Sequence, residues 1–227
     1  MRYAYLGFNI FVLVPCLIIS LRLKIGPTKK WRQLLVGYGT ISLIFIVWDI
    51  LASAAGHWGF SSRYAMPFRF IGLPIEEYLF FFTVPFACML VWDMLPVSRA
   101  RAQKKYILSY FSIWWLLSAG LLIFGWERGY TRAAALSVLL TSALLMNYGT
   151  TLLKQQRFLW YQAIVLFLFI VCNMYLTALP IITYGSWAIT GWRFVTIPIE
   201  DFLFNFALLN TFLLVYERSS GWPRFKR

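Results

Sequence analysis

The sequence predicts an all-α integral membrane protein: seven transmembrane helices, built as two parallel three-helix repeats joined by a linking helix. Three observations carry that prediction. Of the 227 residues, 61% are hydrophobic and only 13% charged, against about 45–50% and about 25% in soluble domains. The apolar residues gather into seven runs, each of roughly 20 residues, the length that crosses a ~30 Å hydrocarbon core. The second half of the chain also repeats the first at an offset of 124 positions.

The spans are expected near residues 3–23, 34–55, 74–95, 106–125, 132–152, 158–179 and 198–217. The first run is too long, and its leader with Arg2 too weakly basic, for a cleaved signal peptide. The first, third and fifth loops and the tail carry 15 of the 21 basic residues, among them Lys30, Arg99, Lys104, Arg157, Arg218 and Arg224. The opposite side carries Arg2, Arg63, Arg69, Arg128, Arg132 and Arg193. The positive-inside rule then puts the C-terminus in the cytoplasm and the N-terminus outside a cell membrane. A net charge of +13 is read as topology and attraction to anionic headgroups, with no nucleic-acid partner.

The repeat is specific. Residues 73–82, LPIEEYLFFF, match residues 197–206, IPIEDFLFNF. In the same register Phe45 aligns with Phe169, Arg69 with Arg193, Asp49 with Asn173 and Asp93 with Glu217. The fourth span has no mate. Three helices joined directly to three more would invert the second copy, and one linking helix restores its orientation. The expected organisation is a first repeat at 1–100, a linking helix at 101–128 and a second repeat at 129–227.

Several chemistries drop out. One histidine, His57, cannot supply the clusters of a di-iron oxygenase or a haem protein, and it reads as a polar loop residue. Cys16, Cys88 and Cys172 lie in apolar runs with neither a disulfide framework nor zinc spacing, as small core residues do. No lysine lies inside a span, no DDxxD cluster serves a diphosphate, and no GxGxxG follows a strand-like run. No metal and no cofactor are expected.

The acids are the informative residues. There are eight, and four of them, Glu76, Glu77, Glu200 and Asp201, follow directly on Pro74 and Pro198. Proline suits a helix start, and carboxylates there gain from the helix dipole, so capping alone would account for one copy. Duplication in register, and the cost of acids within a span, argue for a function. Neighbouring helix residues point about 100° apart, so one acid per motif need face the bundle interior. Glu76 and Glu200 are the expected pair, because glutamate is common to both copies. Glu77 and Asp201 would tune them, through Arg69 or Arg193. Asp49, mid-span with Asn173 as its mate, is either a tuning residue or an interhelical hydrogen bond. Asp93 and Glu217 read as solvated charges near Arg99 and Arg218.

The remaining tools are carboxyls, aromatic faces and an apolar hollow, which suit acid–base chemistry on a hydrocarbon dissolved in the bilayer. Protonating an alkene calls for a neutral carboxyl, the form that apolar surroundings favour. The resulting carbocation needs shielding from water and ring faces to steady it. Tyr78, Phe80, Phe81, Phe82, Phe202, Phe204, Trp48, Trp187 and Trp192 are candidates.

With its duplicated PIEE/PIED motif, seven spans and unpaired middle helix, the chain resembles the membrane-embedded, cofactor-independent lycopene cyclases. These occur as paired short subunits, as one fused chain, or as a domain of fungal bifunctional enzymes. The resemblance implies an isomerase of the intramolecular-lyase type that converts the linear ends of lycopene to β-ionone rings, giving γ-carotene and then β-carotene. It implies Glu76, Glu77, Glu200 and Asp201 as catalytic residues; from their own positions Asp49, Asn173, Arg69, Arg193, Phe80 and Phe204 are candidates for binding substrate or tuning the acids. Lycopene and the lipid bilayer are the implied partners, and a second copy of the chain or pathway enzymes are further candidates. An ε-ring or long-chain carotenoid cyclase, or a non-catalytic transporter or structural protein, are the alternatives. A transporter would need a polar path, yet the third span reads YLFFFTVPFACMLVW after Glu77, with Thr83 its only hydroxyl below Tyr78.

Overall fold

Seven helices among the described residues are long and apolar enough to cross a membrane. They are α1 (Ala4–Leu23), α2 (Trp31–Ala54), α3 (Ile75–Met94), α4 (Lys104–Gly125), α5 (Gly129–Tyr148), α6 (Gln156–Ala178) and α7 (Ile199–Arg218). The structure is a computed structural model and describes residues 2–97 and 101–219; Arg99 and the basic tail residues Arg224, Lys226 and Arg227 lie outside the described residues. Six short strands gather at the end that carries the PIE motifs: β1 (Trp58–Phe60), β2 (Arg69–Phe70), β3 (Leu73–Pro74), β4 (Ile182–Tyr184), β5 (Arg193–Phe194) and β6 (Ile197–Pro198). The spans are helical as expected, and these strands are an addition that period-based reading of such short loops does not reveal.

The fifth span is displaced. It was expected at 132–152 but runs Gly129–Tyr148, after which Gly149 breaks it and a short helix, Thr150–Leu153, follows. Arg132 therefore lies in the first helical turn, where its guanidinium sits 5.5 Å from the centre of the Trp126 ring. A long basic side chain carries its charge back to the interface, so it does not mark the helix start.

The 124-residue offset extends to the backbone. α3 and α7 begin and end at matched positions, as do β1 with β4, β2 with β5 and β3 with β6. β1 and β4 pair antiparallel with Trp58 opposite Tyr184, Gly59 opposite Thr183 and Phe60 opposite Ile182. Gly59 and Thr183 are repeat mates, so this ribbon straddles the pseudo-two-fold that relates the copies.

Two details keep the bundle satisfied without water. Pro85 lies inside α3 and has no N–H for the carbonyl of Phe81, a gap that a membrane interior does not forgive. Residues Tyr38–Ser42 of α2 form a π-helical turn, which brings Ser42 Oγ to the Phe81 carbonyl at 2.9 Å and Tyr38 OH to the Phe82 carbonyl at 2.8 Å. Immediately before this turn, Gly37 gives the Phe212 ring room, and a Cβ there would lie 2.5 Å from that ring. Gly37→Leu is accordingly expected to part α2 from α7 and cost about 1–3 kcal/mol, read as a lowered melting temperature of the detergent-purified protein.

At the far end from the motifs, the repeats clasp each other. Asp93 accepts hydrogen bonds from Lys30 Nζ and from Tyr216 OH, the latter at 2.6 Å. Glu217 accepts one from Trp92 Nε1 at 2.9 Å and lies 3.9 Å from Arg157, whose guanidinium stacks 3.9 Å from the Trp92 ring centre. Asp93 and Glu217 are repeat mates, and so are Trp92 and Tyr216. Each copy thus hands a donor to the other's acid. The expectation of solvated charges is corrected for Asp93, whose side chain is only 6% exposed.

Candidate active site

The PIE motifs place two acids in the first turn of α3 and two in that of α7. All four are buried, but they face different ways. Glu76 Oε1 accepts from the Met66 amide at 2.8 Å. Its mate Glu200 accepts from the Thr190 amide at 2.7 Å, from Thr190 Oγ1 at 2.8 Å and from Thr131 Oγ1 at 2.7 Å. Met66 and Thr190 are themselves repeat mates. These two glutamates pin the long loops against the helix starts, outside the lining of the cavity between the repeats.

Glu77 and Asp201 do. Together with Asp49 and Asn173 they line one cavity of about 410 Å³ between the repeats. The interior-facing acids are therefore Glu77 and Asp201, not the expected Glu76 and Glu200. Residues of both motifs thus line a single cavity.

The two sides of the chamber carry different hydrogen-bonding chemistry. Asp201 accepts from Tyr130 OH at 2.8 Å, from Tyr184 OH at 2.6 Å and from Asn173 Nδ2 at 2.8 Å. Three donors aimed at one carboxyl call for an acceptor on both oxygens, which the ionised form supplies. Glu77 instead accepts from Tyr5 OH at 2.5 Å and lies within side-chain hydrogen-bonding reach of Asp49. Asp49 takes Trp58 Nε1 at 2.5 Å on one oxygen, while its other oxygen has no ordinary donor. The two acids Glu77 and Asp49 thus stand on the same wall of the chamber. One side of the chamber is a pair of acids with few donors, and the other a buried carboxyl met by three side-chain donors.

Aromatic rings line the walls. Phe80, Phe81 and Phe204 face the cavity with Trp58 and Tyr184. Of the other ring candidates, Phe82, Trp187 and Trp192 are exposed, and Trp48 packs behind Phe204 at 5.0 Å. Arg69 and Arg193 do not reach the motif acids. They close the two hairpin tips, Arg69 on the carbonyls of Gly72 and Phe60 and Arg193 on that of Thr196. The Arg193 guanidinium also lies 5.7 Å from the Tyr184 ring centre, its one link to the chamber. Tyr5, Trp58, Tyr130 and Tyr184 are site residues that the sequence reading missed. Their repeat mates are Gly129, Ile182, Leu6 and Phe60, so no duplicated signal marked them.

The cavity opens sideways. Its mouth lies between α1 and α6, where Phe11 is 78% and Val171 54% exposed, as lipid-facing side chains are. Along α3 the lining recurs from Glu77 through Phe80, Val84 and Cys88 to Val91, a slot of about 21 Å at 1.5 Å per residue. Cys16, Cys88 and Cys172 all lie on its walls. Among the described residues, no three His, Cys, Asp or Glu side chains sit together as a metal would require.

His57 lies apart, at the motif end, edge-on to Trp187 at 5.2 Å. Burial and the nearby Arg132 hold its pKa below the ordinary histidine value. As pH falls through about 6.5, the unfolded chain takes up this proton before the folded one, so folded stability declines below that pH. The melting temperature of His57→Gln is expected to lose this part of the acid-side slope in a pH series.

The sequence model of a family described as lycopene cyclase matches residues 2–95 and 127–219, the two repeats without α4. No curated protein and no solved structure matches the chain.

Proposed function

Since the chain belongs to the lycopene cyclase family, we propose that this carotenoid cyclase closes the linear ends of lycopene into β-ionone rings by carboxylic acid–base catalysis. The observation that carries the proposal is the meeting of both motif acids, Glu77 and Asp201, in one aromatic-walled cavity open toward lipid. A polyene dissolved in the bilayer slides in from the side, its end group resting between the two acids and its chain along the slot.

The proton held by the Glu77–Asp49 pair goes to C2 of the end group, leaving a cation at C1. The C5=C6 bond then closes on C1, and the charge moves to C5. Phe80 and Phe204 offer ring faces to these cations, and the Asp201 carboxylate balances them electrostatically. Loss of the C6 proton to Asp201 completes a β ring. Returning that proton to the Glu77–Asp49 pair resets the site, so each ring is a net isomerisation with no redox step. Tyr5, Tyr130, Tyr184, Trp58 and Asn173 hold the three carboxyls in place. An ε ring would require a different proton to leave, and ring type is read from the product.

The charge asymmetry of the loops supports a multi-pass cell-membrane protein with the motif end outside and the basic far end in the cytoplasm. The test is expression in a host that accumulates lycopene, with pigment chromatography. β-Ring products are expected. Unchanged lycopene, with folded protein in the membrane, would return the transporter and structural readings to the front, and ε-ring products would overturn the assignment of the departing proton.

A further inference from the structure

The repeats share one chamber but not the way into it. Around the pseudo-two-fold, mates such as Asp49 and Asn173, Glu77 and Asp201, and Phe80 and Phe204 all line it. Such a chamber has two symmetry-related flanks: the gap between α1 and α6, and its mate between α5 and α2. The first gives the cavity Phe11 and Cys16 of α1 and Phe169 and Cys172 of α6 among its lining, whereas α5 and α2 reach it through Tyr130 and Asp49. The mates of these cysteines are Leu140 and Trp48. The Trp48 ring lies 5.0 Å from that of Phe204, 6.3 Å from Trp58 and 6.4 Å from Tyr130. Trp48, at the position that matches Cys172, thus packs against three rings on the inner side of the α5–α2 flank.

Resting on the cyclase reading, we infer that a carotenoid reaches the acids only through the α1–α6 gap, and that the enzyme closes one end per visit. A stiff polyene cannot fold back, and with the α5–α2 flank filled it cannot thread through. The ring just formed must therefore withdraw into the bilayer before the other end is presented. The monocyclic carotenoid is a released intermediate, and Cys172 is a specificity-determining position through its small volume.

The test uses the full-length protein in liposomes, with isotopically labelled lycopene in excess over enzyme. A monocyclic carotenoid is expected to accumulate well beyond the amount of enzyme before dicyclic product forms, and added unlabelled γ-carotene should dilute the label in that product. Dicyclic product from the first time points, its label undiluted, would overturn the inference. Cys172→Trp is expected to lose cyclisation; a fully active Cys172→Trp would overturn the choice of entrance. The labelled chase needs no variant, so a misfolded one leaves the question decidable. Wild-type protein yielding no cyclic carotenoid at all would sink the cyclase reading itself, an outcome distinct from processive dicyclic product.

Discussion

Asp201→Asn is expected to stop cyclisation, lowering the rate by about 10²–10⁴-fold, the range contributed by a positioned proton-transfer group. The change preserves shape and volume. It converts one acceptor oxygen into an NH₂ group that must face a donor, because Tyr130, Tyr184 and Asn173 occupy both oxygens of the native carboxyl. It also removes the negative charge that faces the cation. Glu77→Gln is expected to fall in the same range, since a carboxamide cannot share a proton with Asp49. Glu76→Gln and Glu200→Gln should behave differently. Each keeps an oxygen for the Met66 or Thr190 amide, so cyclisation persists and only the melting temperature drops. Initial rates of ring formation in lycopene-containing membranes, with a melt for each variant, separate the two pairs. Loss of activity in Glu76→Gln with retention in Glu77→Gln would reverse the assignment.

The contrast between the two acid pairs explains what the sequence hides. The spans were legible because run length is a direct measure of what crosses a bilayer, and the halves were legible because the register holds without a gap. Facing was not. Identity between the copies points to Glu76 and Glu200, and in the structure both tie matched loop residues, Met66 and Thr190, to matched helix starts. The chamber residues diverged instead: Glu77 against Asp201, and Asp49 against Asn173. Around a two-fold, groups that converge on one site meet each other, so the copies gain by becoming unlike. The hydroxyl and indole donors followed the same path and left no duplicated pattern. Trp48 against Cys172 is a further instance, the difference in volume at matched positions on which the inferred entrance rests.

At the opposite end of the bundle, divergence was slight and burial was the hidden variable. Asp93→Ala is expected to destabilise the protein by about 2–3 kcal/mol, chiefly by leaving the Tyr216 hydroxyl without its acceptor. Tyr216 is fully buried, so no water replaces the lost carboxylate. Lys30 adds less, because its side chain is 36% exposed and can be rehydrated; Lys30→Ala should cost about 0–1 kcal/mol. Asp93→Asn, which keeps an acceptor for Tyr216, should fall between the two. Pairing Asp93→Ala with Tyr216→Phe should be clearly less damaging than the sum of the single changes, because the second removes the orphan left by the first. Thermal melts in detergent measure all five. Asp93→Ala no worse than Lys30→Ala would mean that the clasp is solvated after all. The product profile should stay that of wild type throughout, since a clasp so far from the chamber joins the repeats without touching the groups that move the proton.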